Sequence, residues 1–493
     1  MKRIIAIIIC VITGLAAYAQ PHPAAEQAQA LAESVAADPA LADAVVSITA
    51  RTGDGRVLMD IHSETMLVPA SNMKLISTGT ALHRLGPEHR FETAIAHDGE
   101  VINGVLHGNV YIIGGGDPTL GSKDSIAVAL DKTFSQWEAF IRKAGIRQIK
   151  GLLIGDGRSF EGMAEEPTWL WNDIGTYYGA GTTGLMFYEN MQSFSVGAGK
   201  ELGAPVDIAP SYPDAPWMEF RYNCTTGKEG TGDRLYMYAS DLAPVAEIRG
   251  TFGLDRARKR LDCSNKFPEY TCASYFFNYL KKKGVNAEGF ADTRLMTDWK
   301  EVGEKTILGK TYSPNLRRIA FETNHASNNL FAETLLRQLG REMTGSASYD
   351  SAYVALDNVL KSLKVNTSKG AQIQDGSGLS RQNYVSSDFI CRFLESMMQS
   401  PYFEDYVNSL PSPGGDGTLQ YNMKGYPASQ RERIKVKSGS MNGVRCYSGY
   451  VIPVEGAKEE TIIFSIMVNN CTSPTWKVRP LLDKLMGALS SYN

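Results

Sequence analysis

Ser71-Asn72-Met73-Lys74 and Lys437-Ser438-Gly439 stand 366 residues apart in a chain of 493, and Ser327-Asn328-Asn329 lies between them. Each carries a different part of one chemistry. A serine and a lysine at i and i+3 share a helix face. A lysine that is partly desolvated and close to other cations becomes less basic, and can then take the serine proton near neutral pH. Ser327 and Asn329 add a second polar pair for proton relay, and Lys437 with Ser438 offers a cation and a hydroxyl for a carboxylate. If the three motifs serve one site, the fold must bring a helix encoded near the N-terminus against a strand encoded near the C-terminus. Whatever lies between must be accommodated without parting them.

The surroundings of each motif fit that role, and each also has a plainer reading. Pro69-Ala70 precedes Ser71, and Leu75, Thr78, Leu82 and Leu85 repeat after it at helical spacing until Gly86, which can end the helix. A serine at such a start has free backbone N–H groups and the positive end of the dipole beside a developing oxyanion, so no histidine is required. Ser-x-x-Lys is common by chance, but occurs once here. Ser-x-Asn also occurs at Ser313, Ser440 and Ser491. Ser327 is preferred because Leu330, Phe331, Thr334, Leu335 and Leu339 mark a helix directly after it, with Gly340 as its stop. Its plainer role is an N-cap, which Ser327 or Asn328 could fill. Lys435 and Lys437 share one face of an alternating run, where solvated edge lysines are ordinary. Gly439 leaves room for a substrate backbone to pair with the strand edge.

Competing chemistries lack their residues. There is no Gly-x-Ser-x-Gly elbow and no His-Glu-x-x-His, and the seven histidines form no metal-spaced cluster. No metal and no cofactor is expected. Gly114-Gly115-Gly116-Asp117-Pro118 lacks the lysine of a phosphate loop and reads as a tight turn. The net charge of -3 argues against nucleic acid as a partner. Met1-Lys2-Arg3, the apolar run Ile4 to Leu15 and Ala17-Tyr18-Ala19 have the zones of a secretory signal cleaved before Gln20. The expectation is an exported, periplasmic, soluble protein with at most peripheral membrane contact. Six cysteines remain after the leader; Cys446 with Cys471 and Cys263 with Cys272 are the local candidates for disulfides, while Cys391 stays reduced.

Residues 20–43 read as helical, and Val45 to Ala50 and Arg56 to Asp60 as strands around a turn. From about residue 90 the chain changes to short, glycine-punctuated strands, closed by a helix from Thr271 to Lys283. Ile434 to Ser440, Tyr447 to Ile452 and Thr461 to Val468 then make an antiparallel run. A final amphipathic helix through Leu481, Leu482, Leu485, Met486 and Leu489 covers that sheet. The division expected is a signal peptide over 1–19, a discontinuous catalytic domain over 20–90 and 296–493, and a β-rich inserted region over 91–295 with two nested domains.

With its motifs in this order, the chain resembles the penicillin-binding D-alanyl-D-alanine carboxypeptidases of the S13 peptidase family, the class C low-molecular-mass group. The resemblance spans nearly all of the mature chain and includes Gly114 to Leu120, Trp169-Leu170-Trp171-Asn172-Asp173, Asp375-Gly376-Ser377-Gly378-Leu379-Ser380-Arg381 and Asp416-Gly417-Thr418-Leu419. It implies an α+β transpeptidase-like domain, an antiparallel sheet flanked by helices, interrupted by an insertion of two domains. It also implies cleavage of D-Ala-D-Ala in peptidoglycan stem peptides, with endopeptidase action on cross-links, through an acyl-serine that β-lactams trap. Carried over residue by residue, Ser71, Lys74, Ser327, Asn329 and Lys437 look catalytic, and Ser438, Gly439 and Ser440 substrate-binding. The oxyanion donors fall at the Ser71 and Ser440 N–H groups. Asp173, Tyr178, Arg381 and Asn442 look like the residues facing the diamino acid side chain, a carboxylate for its ammonium and a guanidinium for its carboxylate; an Asp173–Arg381 ion pair is the plainer alternative. Ser438 stands where the family usually has threonine, and Asn442 where it varies. The rival readings are a β-lactamase and a non-catalytic peptidoglycan-binding protein on the same scaffold.

Overall fold

A computed structural model describes residues 23–294 and 300–492; the expected leader lies outside them. The last three strands and the first two form one antiparallel sheet, in the order Ile434–Met441, Val444–Val451, Ile462–Asn469, Val45–Thr52, Val57–Ile61. Val45–Thr52 runs in unbroken register against Ile462–Asn469, so both ends of the chain build the same sheet. On one face, the helices Pro23–Ala36 and Thr475–Ser490 cover Ile48, Ile462, Phe464 and Ile466, as the leucine pattern of the last helix implied.

The other face carries a helical layer around the Ser71 helix, Met73–Leu85, whose residues 73–82 are all buried. A helix buried all round normally has apolar residues all round, yet this one holds Ser77, Thr78 and Thr80. Two of their hydroxyls are satisfied within the helix, Thr78 Oγ1 donating to Lys74 O (2.5 Å) and Thr80 Oγ1 to Ile76 O (2.6 Å), while Ser77 Oγ donates across to Gly376 O (2.9 Å). Gly86 ends the helix at φ 82°, where a glycine has no Cβ penalty. Asn329–Thr344 packs beside it and runs past Gly340, the expected stop, to Gly345. Gly340 instead lets the next helix, Tyr349–Ser362, approach: a Cβ there would lie 2.9 Å from Ala352 N.

Residues between these halves form separate sheets. One is mixed, in the order Gly289–Asp292, Leu152–Asp156, Val110–Gly114, Glu92–His97, Thr306–Tyr312. Its first three strands are parallel, a pairing that needs crossovers, and the helices Leu130–Lys143 and Pro268–Lys282 lie in those connections with Phe134, Trp137 and Phe276 in a shared core. The region is therefore α/β here and not only β-rich. Thr306–Tyr312, beyond the boundary expected at 295, pairs with Glu92–His97 and belongs to this sheet. Two three-stranded sheets from Met191 to Ser264 pack around Phe194, Ile248 and Phe252.

Neither candidate disulfide forms, and all six cysteines described are free. Cys446 faces Met467 in the register, four residues short of Cys471. Cys263 and Cys272 are buried in different cores. No helix among the described residues is long and apolar enough to cross a membrane.

Candidate active site

Ser71 sits in a short 3₁₀ turn, Ala70–Asn72, at the head of its helix. Ala70 takes φ 47°, a conformation costly for a residue with a Cβ, and two glycines close over it. A Cβ on Gly378 would fall 1.8 Å from Ala70 O, and one on Gly439 would fall 2.4 Å from Pro69 O. The strand edge and the Asp375–Arg381 loop thus approach the serine turn as closely as backbones can. Asn72 Nδ2 donates to Ser448 Oγ (2.6 Å), tying the turn to the sheet.

Lys74 Nζ donates to Ser71 Oγ (2.9 Å), Asn329 Oδ1 (2.6 Å) and Ser377 O (2.8 Å). The side chain is fully buried. Burial lowers the ammonium from 10.5 to about 7, against the opposing charges of Asp375 and Glu333. Among the described residues, no carboxylate hydrogen-bonds either Ser71 or Lys74. Asn329 is fixed from its other end, Nδ2 donating to Tyr178 O (2.8 Å).

The third motif meets the second. Lys437 Nζ donates to Ser327 Oγ (3.1 Å) and to Ser438 O (2.9 Å), and burial, with the Lys74 charge beside it, pulls its pKa well below the usual lysine value. The capping role falls to Asn328, whose Oδ1 accepts from Phe331 N (3.1 Å); Ser327, at φ 58°, is left to turn its hydroxyl to Lys437. Ile434–Met441 is the edge strand of its sheet, so Gly439 and Ser440 border the cleft with backbone not engaged by a further strand. Ser438 Oγ lies 3.0 Å from Thr418 Oγ1.

A cleft of about 1030 Å³ joins these groups, lined by Ser71, Ser327, Asn329, Ser438, Gly439 and Ser440 and also by Asp173, Tyr178, Arg381 and Asn442. No histidine lines it among the described residues. Asp173 and Arg381 do not pair: Asp173 Oδ1 accepts from Tyr178 Oη (3.3 Å), while Arg381 Nη2 donates to Asn442 O (3.5 Å). Burial pushes the Asp173 carboxyl up, with Tyr178 and Arg381 opposing.

Two acids outside the three catalytic motifs, one of them at the head of the Asp375–Arg381 string, organise the floor of the site. Glu333, one turn beyond Asn329, accepts from Ser377 N (2.7 Å) and Gly376 N (3.1 Å), and burial and the Asp375 charge push its pKa well above the usual carboxylate range. Asp375 accepts from Gly378 N (2.7 Å), Ser380 N (2.6 Å), Asn383 Nδ2 (2.7 Å) and Trp169 Nε1 (2.9 Å). Together they fix the loop that presents Ser377 O to Lys74. The one sign of Glu333 in the sequence is an acid on the helix that Leu330, Phe331, Leu335 and Leu339 mark.

A family model described as the D-Ala-D-Ala carboxypeptidase 3 (S13) family matches residues 27–483. A D-alanyl-D-alanine carboxypeptidase from Actinomadura sp. (strain R39) is 28% identical over 455 residues, covering 90% of this chain and 81% of that protein. A D-alanyl-D-alanine carboxypeptidase DacB from Haemophilus influenzae is 22% identical over 428 residues, 85% of this chain and 84% of that one. The crystal structure of penicillin binding protein 4 from Haemophilus influenzae superposes with a TM-score of 0.78 at 20% identity, covering 93% of this chain and 98% of that chain.

Proposed function

The chain belongs to the D-Ala-D-Ala carboxypeptidase 3 (S13) family, and from that premise we propose that it is a serine-type D-Ala-D-Ala carboxypeptidase, with endopeptidase action on cross-links, that β-lactams acylate. One observation carries the reading above all. A lysine amine with its pKa lowered to about 7 stands 2.9 Å from a serine hydroxyl at a helix head.

In this reading neutral Lys74 takes the Ser71 Oγ proton as the oxygen attacks the carbonyl of the penultimate D-alanine. The tetrahedral oxyanion forms between the N–H groups of Ser71 and Ser440. As it collapses, the C–N bond breaks and the leaving amine receives a proton through Ser327, which Lys437 orients. Water then hydrolyses the acyl-serine with Lys74 again as base. A β-lactam follows the same first step, but its amine stays tethered by the opened ring and obstructs the water. Among the described residues no carboxylate hydrogen-bonds Ser71, so Lys74 is left as the base for deacylation; a peptide acyl-enzyme leaves it open to water while the tethered β-lactam amine obstructs it, which favours a peptidase over a β-lactamase. Asp173, Tyr178, Arg381 and Asn442 receive the diamino acid side chain. The same reading treats residues 20–90 and the stretch after the Thr306–Tyr312 strand as the catalytic unit around an insertion, and places the protein outside the cytoplasm on the strength of its leader.

Incubation with fluorescent penicillin and mass mapping of the adduct tests this. One stoichiometric label at Ser71, released slowly, is expected. A label elsewhere or none removes the catalytic reading, and fast turnover of penicillin makes the chain a β-lactamase.

A further inference from the structure

The string Gly114 to Leu120 is a part of the sequence pattern that the cleft does not use. It packs on another segment, residues 181–190. A Cβ on Gly114 would lie 2.2 Å from Gly184 O, and one on Gly121 would meet the Phe187 ring at 2.9 Å. Gly116 N donates to Gly184 O (2.8 Å) and Tyr188 N to Leu120 O (2.9 Å). What these contacts brace is a left-handed turn, Tyr188–Asn190, with φ of 53°, 53° and 50°. Successive residues with a Cβ rarely hold that conformation, because each is strained in it. Asn190 secures the turn from its far end: its Nδ2 donates to Gly181 O (2.8 Å) and its carbonyl accepts from Asn265 N (2.7 Å).

The middle residue of this turn, Glu189, borders the cleft and reaches the Ser327 motif. One carboxylate oxygen accepts from Asn328 Nδ2 (2.8 Å), and the other from Ser122 Oγ, just past the glycine string. Asn328 Oδ1 already caps the helix Asn329–Thr344 at Phe331 N (3.1 Å). Its amide is therefore fixed from both ends, with Ser327 and Asn329 on either side of it. Later turns of the same helix are tied to the same part of the chain: Arg337 donates to Thr182 O and Glu161 O, and Arg341 Nη1 to Gly115 O (3.0 Å). Burial raises the Glu189 carboxyl and the Asp124 charge adds to the rise, while the donors Ser122 and Asn328 and the Arg260 charge oppose it. Glu322 stands within reach of the same charge.

The structure assigns Glu189 as a positioning residue for acyl transfer: acting through Asn328, it sets Ser327 toward Lys437 and Asn329 toward Lys74. The assignment rests on the acyl-transfer reading above and deepens it, because it makes the segment between the two halves of the chain part of the machinery and not a spacer. Ser327 Oγ meets Lys437 Nζ at 3.1 Å, and Asn329 Oδ1 meets Lys74 Nζ at 2.6 Å. Both contacts depend on the backbone that Asn328 joins. A carboxylate acceptor holds the Asn328 amide more firmly than a neutral one would.

The test is the acylation rate with fluorescent penicillin, read per labelled site so that unfolded protein does not count. Glu189→Ala is expected to slow acylation about ten-fold or more, the worth of a hydrogen bond to a charged group. Glu189→Gln, whose amide oxygen still accepts from Asn328, should stay within about three-fold of the parent. Asn328→Asp keeps the helix cap but loses the donor, and should be about as slow as Glu189→Ala. Joined to Glu189→Gln, it regains the bond with the donor on the other side, and the rate should return to within about three-fold of the parent. A brace that serves stability alone gives fewer labelled sites and a lower melting temperature at an unchanged rate per site, and that result overturns the assignment. So does an Asn328→Asp variant as fast as the parent, or a paired variant no faster than Asn328→Asp by itself. A parent chain that takes no label removes the acyl-transfer reading together with this one. A parent labelled at Ser71 whose Glu189→Ala variant is equally fast keeps its catalysis and loses this residue alone.

Discussion

The basicity of Lys74 decides whether Ser71 can act as a nucleophile, and it can be measured. An ordinary lysine at 10.5 is neutral in about 1 of 3,000 molecules at pH 7; with a pKa of about 7, Lys74 is neutral in about half of them. The acylation rate with fluorescent penicillin, followed from about pH 5 to about pH 10, should therefore rise about ten-fold per unit at the acid end and level off near pH 7. Linkage gives a second readout. The folded pKa is lowered, so between about pH 7 and 10.5 the unfolded chain binds the proton that the folded chain lacks, and stability rises with pH across that window. Holding the amine in its site at pH 7 costs about 4 kcal/mol on this count. Lys74→Met removes that cost together with the three hydrogen bonds of Nζ, worth about 1 kcal/mol each or somewhat more. The two sides nearly cancel: acylation should fall about 10²–10⁴-fold while stability at pH 7 moves by less than about 2 kcal/mol. A rate that is flat from about pH 5 to 9, or half-maximal above about pH 9, refutes the base assignment. So does a stability loss in Lys74→Met as complete as the loss of rate.

Gly378→Ala is expected to abolish labelling and lower the melting temperature, since the new Cβ would lie 1.8 Å from Ala70 O and φ is 84°; a normal labelling rate would mean that the serine turn is not held by this contact. Arg337 is fully buried and donates to Ala347 O (2.7 Å), Thr182 O (2.7 Å) and Glu161 O (2.7 Å). Arg337→Met should cost about 3 kcal/mol or more by stranding those acceptors, seen as a shifted denaturation midpoint. Asp173→Asn should raise KM for a peptide with a free diamino acid amine about ten-fold or more, and much less for the acylated amine; equal effects on both would remove the ammonium contact.

Much of the site was legible because its reagents lie in short strings. The Ser71 helix, its Gly86 stop, the lysine strand and the final amphipathic helix all follow from local periodicity. Gly340 misled because a glycine within a helix and a glycine after one look alike in sequence, and only the approach of Ala352 distinguishes them. The Cys446–Cys471 pairing failed on register, which the strand patterns leave open. Short glycine-broken strands of the insertion such as Leu152–Asp156 were legible, but the helix Leu130–Lys143 between them went unread, and their parallel pairing is set by the crossovers and not by any one strand. Glu333 was hidden for another reason: its partners are the backbone N–H groups of residues 376 and 377, and a backbone donor leaves no trace in side-chain identity.

The sequence by itself determined that Ser71 and Lys74 meet, because one helical turn separates them and any fold that keeps the helix keeps the pair. It also determined that Lys437 faces the same side as Lys435, through the period of the strand. Tertiary structure decided whether the meeting matters. The amine is lowered to about 7 only because Asn329, Ser377 and the edge of the sheet exclude water from it, and those atoms come from segments about 250 to 370 residues away in the chain. Desolvation is a property of everything that surrounds a group, and no local string encodes it.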